Sequence, residues 1–354
     1  MKYDYEDKDE NDINISPVGL INFSRAYQKS KNNKYNKNTY MYNTCYINSS
    51  MQCLFRLDEF VKNILKCDKG NLVFATKNLI HNMQNYKKQN NKSCSVLEIK
   101  QVMGERNDKY NGNEQQDANE FISNYLNDLV EETKDIGEIN WKYLEKDELY
   151  FNDFLHKYLK RKGNSFILDL FYGIFRTENY CNNCNYSFTV KFNTFNILEF
   201  IIDEEKYRYQ NSPIDMRELL EEYISENDSD TERCLECKED VKIKTSIYSL
   251  PKCLIIYFKR DYTYNNIKKI TIQKTINMEK YIYDKSLNED RNFFYHLKGV
   301  IFYSNYSSKV GHYKSACLVN NEQWYYFDDN HYETDRNLLR IYEHENPVFL
   351  FYEK

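Results

Sequence analysis

The chain has 354 residues, 41% of them hydrophobic and 16% aromatic, which is enough apolar side chain for one large core or two to three small ones and excludes wholesale disorder. Its 49 Lys and Arg against 54 Asp and Glu leave a formal charge of -5, so no global basic field marks it as a general nucleic-acid binder. Apolar runs such as CLIIYF at 253–258 are far too short to span a bilayer, and the acidic N-terminus is unlike a signal peptide; a soluble intracellular protein, cytoplasmic or nuclear, is expected.

Residues 1–16 read as an acidic, disordered tail. GLINF at 19–23 is briefly apolar, and residues 24–42, with five basic side chains, no acid and neither Gly nor Pro, read as a polar basic surface insertion. A helix is predicted from Cys45, because Ile47, Met51, Leu54 and Phe55 fall at i, i+4, i+7 and i+8, with Thr44 as its N-cap. In QQDANEFISNYLNDLV, Ala118, Phe121, Ile122, Tyr125, Leu126 and Leu129 line one face of a second helix, and Asp117 and Glu120 stand at its cap and third positions. Residues 131–165 are charged and weakly periodic and are expected to be a variable connection. Past Phe166 the segments FTVKFNTFNILEFII, SIYSLPKCLIIYFKR, YHLKGVIFY, KSACLV, WYYF and VFLFYEK are β-branched and aromatic, as strands are. Helices first and strands second predict an α+β fold.

Ten cysteines in an intracellular chain should be reduced, which turns attention to metal and nucleophile roles. Cys45 sits in a first helical turn, where unpaired N–H groups and the helix dipole favour a thiolate, although a cysteine there is ordinarily a small core side chain. A nucleophilic cysteine needs a base. In GHYKSACLVNNEQWYYFDD, two strand-like segments joined by NNEQ return the chain toward His312 and deliver Asp328 and Asp329 there. Pairing Val319 with Trp324 sets His312 opposite His331, so contact with Asp328 requires a bulge or strand twist. A carboxylate on one imidazole nitrogen would fix the tautomer and leave the other to take the thiol proton. Cys181 with Cys184, and Cys234 with Cys237, form two Cys-x-x-Cys knuckles able to complete a tetrahedral zinc site with no open position; redox or unligated thiols are the alternatives. The 49 residues between the knuckles exceed a compact zinc ribbon and imply a hairpin tip with strands and a helix between.

Taken in order, NTCYINSSMQCL, QQDANEF, the two Cys-x-x-Cys pairs, LPKCLIIYFKR, GHYKSACLV followed by WYYFDD, and VFLFYEK resemble the ubiquitin-specific protease catalytic domain from about Gly19 to Tyr352. Each block alone is weak, but the ordered set is specific. The resemblance implies a papain-like cysteine protease occupying residues 17–354, with a helical thumb (about 17–165), zinc-bearing β fingers (about 171–255) and a β-rich palm (about 166–170 and 256–354). It implies Cys45 as nucleophile, His312 as general base, Asp328 as its orienting acid and Asp329 as an assisting one. Gln115, Gln116, Asp117 and Glu120 would bind the arginine-rich tail of ubiquitin, while the two acids serve equally well as a plain helix cap. Structural zinc on Cys181, Cys184, Cys234 and Cys237, no catalytic cofactor, ubiquitin and ubiquitinated proteins as partners, no nucleic acid or membrane, and a monomeric state complete the expectation.

The family pattern Gly-Leu-x-Asn-x-Gly-Asn-Thr-Cys has an Asn five residues before the cysteine, where this chain has Tyr40. GLIN at 19–22 supplies the first half and NTC at 43–45 the second, so residues 24–42 are read as replacing a single glycine, and Asn22 becomes the oxyanion donor. Gly311 beside the base fits a groove for a thin diglycine tail. The expected reaction is thioester-mediated hydrolysis after the terminal glycine of ubiquitin. The alternatives are a catalytically impaired ubiquitin-binding module and a protease for a ubiquitin-like modifier; a zinc-ribbon nucleic-acid protein should show a basic aromatic stripe, which is absent.

Overall fold

The computed structural model describes residues 15–22, 43–87, 93–135, 143–184, 187–224, 226–261, 268–287, 291–307, 310–334 and 345–354. The insertion at 24–42, Tyr40 and residues 1–14 of the expected tail lie outside them. Ile15 corrects the tail's boundary: it is 1% exposed and its carbonyl accepts from the Arg56 guanidinium at 2.7 Å, so the folded body starts at least there.

The helices come first. They are α1 (Cys45–Leu54), α2 (Asp58–Lys66), α3 (Asn71–Asn85), α4 (Leu97–Arg106), α5 (Ala118–Thr133), α6 (Glu148–Lys162) and α7 (Phe166–Phe171), with a short α8 (Met216–Tyr223) among the strands. Helix α1 starts at the cysteine, as predicted, and all ten of its residues are buried. The stretch expected to be a connection between 131 and 165 instead ends α5 and carries the whole of α6. Its apolar side chains Phe151, Phe154, Leu155 and Tyr158 are at helical spacing, a signal diluted by the charges around them; Phe151, Phe154 and Leu155 join the cluster of Phe192 and Tyr248, and Tyr158 packs on Phe154 and reaches the core under α1–α5.

Strands β1 (Gly173–Cys181), β2 (Ser187–Phe195), β5 (Glu226–Arg233) and β6 (Asp240–Ser249) form a four-stranded sheet in the order β2-β1-β6-β5. Strands β3 (Leu198–Ile202), β7 (Cys253–Arg260), β9 (Thr275–Asn277), β10 (Phe294–Ser307), β11 (Val310–Val319), β12 (Gln323–Asp328), β13 (His331–Thr334) and β14 (Pro347–Glu353) form an eight-stranded sheet; β4 (Ile214–Asp215) pairs separately with β8 (Ile270–Thr271). Two long apolar segments split: Leu-Pro-Lys at 250–252 separates β6 from β7, and Asn196-Ile197 separates β2 from β3. Strand β3, inside the interval expected for the fingers, joins β7 in the larger sheet. Thumb-facing residues of that sheet, among them Ile255, Ile301, Phe349 and Phe351, share one core with α1–α5, while Ile256, Val300, Leu350 and Tyr352 on the other face build a second core with α8.

One feature of α1 explains how its N-terminus is held. Thr44, Asn48, Gln52 and Arg56 recur every four residues and so lie on one face of the helix. Each donates to a carbonyl of the segment 15–22: Thr44 Oγ1 to Ile21 (3.1 Å), Asn48 Nδ2 to Leu20 (3.2 Å), Gln52 Nε2 to Val18 (2.7 Å) and Arg56 Nη1 to Ile15 (2.7 Å). Thr44 thus occupies the N-cap position without a side-chain cap bond, because its hydroxyl is spent on Ile21. The ladder brings GLIN against NTC, the two halves that the sequence separates by the insertion.

Candidate active site

Helix α1 packs against β10 and β11, and Cys53 Sγ at its far end touches Cys317 Sγ at 3.7 Å. At the near end Cys45, 3% exposed, lies beside Tyr303; burial first, and then this thiol, push the Tyr303 hydroxyl above its ordinary pKa. Tyr303 pairs across the sheet with Tyr313, and His312 stands next to it in β11. The cysteine at the helix start therefore faces the part of β11 that carries the histidine.

The acids reach His312 through a register one residue away from the one predicted. Leu318, not Val319, pairs with Trp324, because Gln323 joins β12 and Asn320 and Asn321 take left-handed conformations that asparagine tolerates (φ 53 and 57). No bulge in β11 or β12 is needed. Strand β12 ends at Asp328, the chain turns through Asp329 (φ 55), and His331 pairs back with Asp328. His312 Nε2 then lies 2.7 Å from Asp328 Oδ1 and 3.7 Å from Asp329 Oδ2.

The two carboxylates are held differently. Asp328 is partly exposed, whereas the Asp329 side chain is fully buried and accepts from Asn22 Nδ2 (2.9 Å) and Asn48 Nδ2 (2.9 Å). A buried carboxylate survives only with such donors. Asn48 went unnoticed in the sequence, although its four-residue spacing from Thr44 and Gln52 was the available signal. Leu20 N–H donates to the Asp329 carbonyl at 2.9 Å, and a Cβ on Gly19 would meet the backbone of Asn330, so a glycine is required for GLIN to lie flat on this turn. Asn22, Cys45, His312, Asp328 and Asp329 are thereby brought to one seam.

The acidic block before α5 behaves less simply. Asp117 caps α5 through Asn119 N–H (2.6 Å), and Glu120 pairs with Lys109. Gln116 Nε2 donates to the Lys109 carbonyl (3.1 Å). Gln115 reaches β11, where its amide donates to the Gly311 carbonyl (2.8 Å) and accepts from the Gly311 N–H (2.9 Å). The space beside Gly311 is filled by Tyr303, whose ring a Cβ there would strike, so this glycine answers an internal contact and not an open groove.

At the far tip of the four-stranded sheet, Cys181, Cys184, Cys234 and Cys237 bring their sulfurs within 4.8 Å of one another, with Cys181–Cys237 at 3.3 Å and Cys184–Cys234 at 3.6 Å. Four thiolates about 2.3 Å from one zinc would stand roughly 3.8 Å apart, so the donor set and its span fit that ion. Knuckle Cys234–Cys237 is closed by Lys238 N–H to the Cys234 carbonyl (3.0 Å). The Glu239 backbone N–H, aided by Asn183, lowers Cys237 to about 6. The strands and helix expected between the knuckles are β2 to β5 and α8.

A buried thiol at the start of a helix that packs on the strand carrying a carboxylate-paired imidazole supplies the groups that thiol-hydrolase chemistry requires. The sequence profile of the ubiquitin carboxyl-terminal hydrolases matches residues 19–352, and the chain belongs to that family. It is 26% identical over 304 residues to ubiquitin carboxyl-terminal hydrolase Usp2 of Drosophila melanogaster, covering 81% of this chain and 31% of that protein. Ubiquitin carboxyl-terminal hydrolase 2 of Rattus norvegicus is 27% identical over 310 residues, covering 81% and 49%. The chain thus spans about a third to a half of the length of these relatives. In fold it is similar to the SAGA Ubp8/Sgf11/Sus1/Sgf73 deubiquitinating module bound to ubiquitin aldehyde, with a TM-score of 0.69 at 18% identity, covering 98% of this chain and 70% of the other.

Proposed function

We propose that the protein is a thiol-dependent deubiquitinase that cleaves the peptide or isopeptide bond after the terminal glycine of ubiquitin. The observation that carries this reading is the 2.7 Å contact between His312 Nε2 and Asp328 on the strand facing the Cys45 end of α1. With Nε2 engaged by the carboxylate, Nδ1 is the nitrogen left to take the Cys45 proton. The thiolate attacks the glycine carbonyl, and the oxyanion is met by the Cys45 backbone N–H and the Asn22 amide, which Asp329 anchors. Imidazolium His312 protonates the departing lysine amine, and water activated by the same ring hydrolyses the thioester. Asp329 supports the electrostatics from its buried site.

Structural zinc on Cys181, Cys184, Cys234 and Cys237 would hold the tip of the fingers, here β1, β2, β5 and β6, while the eight-stranded sheet, β3 included, forms the palm and α1–α7 the thumb. Asp117 and Glu120 are assigned to the basic tail of ubiquitin in addition to their contacts within the chain, since a carboxylate has lone pairs for both. None of the ten cysteines is in a disulfide, which fits a reducing compartment, cytoplasmic or nuclear; no helix among the described residues is long and apolar enough to cross a membrane.

The test is incubation with ubiquitin carrying a C-terminal thiol-reactive electrophile. A single covalent adduct mapped to Cys45, absent in Cys45→Ala, is expected; an unmodified protein, or an adduct on another cysteine, would overturn the assignment.

A further inference from the structure

The segment between α4 and α5 touches the flanks of both catalytic partners. Asn113 accepts through its carbonyl from Asn43 Nδ2 at 2.8 Å, two residues before Cys45. Two residues further on, Gln115 makes its reciprocal pair of hydrogen bonds with the Gly311 peptide, one residue before His312. Such a pair reproduces with a side chain what a neighbouring strand does with its backbone, and it fixes both the height and the tilt of the peptide it grips. Just beyond it, the Ala118 N–H donates to the Tyr313 hydroxyl at 3.4 Å, on the other side of His312. The segment has its own anchor: buried Lys100 donates Nζ to the carbonyls of Tyr110 and of Gly112 (3.0 Å).

We infer that residues 110–116 are a spacer that sets the separation of Cys45 from His312, and that Gln115 is the positioning residue at its palm end. The inference rests on the reading of Cys45 and His312 as nucleophile and base. It also gives Gln115 a role other than the ubiquitin contact that the family resemblance implies. Gln115 is exposed while Gly311 is buried, so the contact is a surface latch on a buried strand and its removal takes little from the core.

The experiment uses the full chain and two readouts. The first is the rate of Cys45 alkylation by iodoacetamide against pH, mapped by mass spectrometry, with no ubiquitin present. The second is steady-state hydrolysis of a fluorogenic C-terminal ubiquitin amide. The wild type should keep a plateau of alkylation at acidic pH, the mark of a thiolate–imidazolium pair. In Gln115→Ala that limb should move up by about one pH unit or more, and kcat should fall roughly 10- to 100-fold, the range that a misplacement near 1 Å produces, with KM nearly constant. Gln115→Glu keeps the acceptor for the Gly311 N–H and loses the donor, so it should fall between. Asn43→Ala, which cuts the other tether, should shift the same limb and serves if Gln115→Ala does not fold. A raised KM with unchanged kcat and an unmoved alkylation profile would overturn the spacer and return Gln115 to substrate contact. A wild type whose alkylation follows an ordinary thiol titration would overturn the nucleophile–base reading itself, and the spacer with it.

Discussion

At the seam between α1 and β11, side chains arrive from opposite ends of the sequence and are held by hydrogen bonds: Asn22 and Asn48 on buried Asp329, Asp328 on buried His312, and Gln115 from the surface on buried Gly311. At the tip of the four-stranded sheet, four thiols gather from two tight knuckles whose core contains little else than Val241. The seam's geometry is set by the chain's own donors and by the large core beneath it. The tip has no comparable core, and on the proposed reading the zinc held by its sulfurs supplies its order. Damage at the seam should therefore appear first in turnover, and damage at the tip first in stability.

The sharpest break of that contrast is Asn22→Ala. Loss of one oxyanion donor typically costs on the order of 10² to 10³ in turnover. Here the same substitution also removes one of the two amides on the buried Asp329, so kcat should fall by at least that much in the folded protein while KM moves little, and the melting temperature should drop with the lost hydrogen bond. A variant with kcat within about threefold of the wild type would remove Asn22 from the chemistry.

The opposite signature is expected for Cys184→Ser. Metal analysis should find one zinc per wild-type chain and none in the variant, whose melting temperature should drop because structural zinc supplies folding free energy. Turnover per folded molecule should change far less than in Asn22→Ala. A folded wild type without zinc would break the comparison from the other side.

The two regions also differ in how far the sequence exposed them. The tip is local: a Cys-x-x-Cys is a knuckle whatever surrounds it, so all four cysteines were legible from spacing, and only their meeting across 49 residues required a fold. The seam is not local. Cys45 was legible because a helix period begins there, and the acids because a hairpin returns them toward His312. The one-residue register change was not, since it depends on Asn320 and Asn321 adopting left-handed backbone. The ladder of Thr44, Asn48, Gln52 and Arg56 had a visible period but no visible partner, because carbonyl acceptors carry no side-chain signal. Helix α6 was missed for a different reason: its apolar stripe is narrow among charged residues, and it is stabilised by aromatic packing and by the buried Asp147–Arg176 pair (3.1 Å) that only the tertiary structure supplies.

Support for the seam should carry a pH signature through Lys100. Burial lowers its ammonium from 10.5 to about 8. Between those values the unfolded chain binds more protons at this site than the folded one, so the stability Lys100 contributes must rise as pH increases from about 8 toward 10.5 and be flat below 8. The difference in unfolding free energy between wild type and Lys100→Met should grow across that window, and a difference independent of pH from 7 to 10 would show that the amine is not held in its buried place.

The smallest effect is expected where the family pattern is most visibly interrupted. Replacing residues 24–42 by one glycine restores the Gly-Leu-x-Asn-x-Gly-Asn-Thr-Cys spacing, and the described ends of the gap are already together: Thr44 donates to Ile21 at 3.1 Å and Asn48 to Leu20 at 3.2 Å. Phe23 and the new glycine would then join Asn22 to Asn43, whose chain neighbours Ile21 and Thr44 are in hydrogen-bond contact. Closing a long loop costs only about 0.6 kcal/mol more per doubling of its length, so shortening it should stabilise slightly if at all. The shortened protein should hydrolyse a ubiquitin C-terminal amide at a rate close to that of the full chain, with Asn22→Ala still crippling in the shortened background. Tyr40→Phe in the full chain should be silent. If the shortened protein is inactive while Tyr40→Phe is also impaired, the oxyanion donor comes from the insertion, and the seam is built by a route different from the ladder that joins GLIN to NTC.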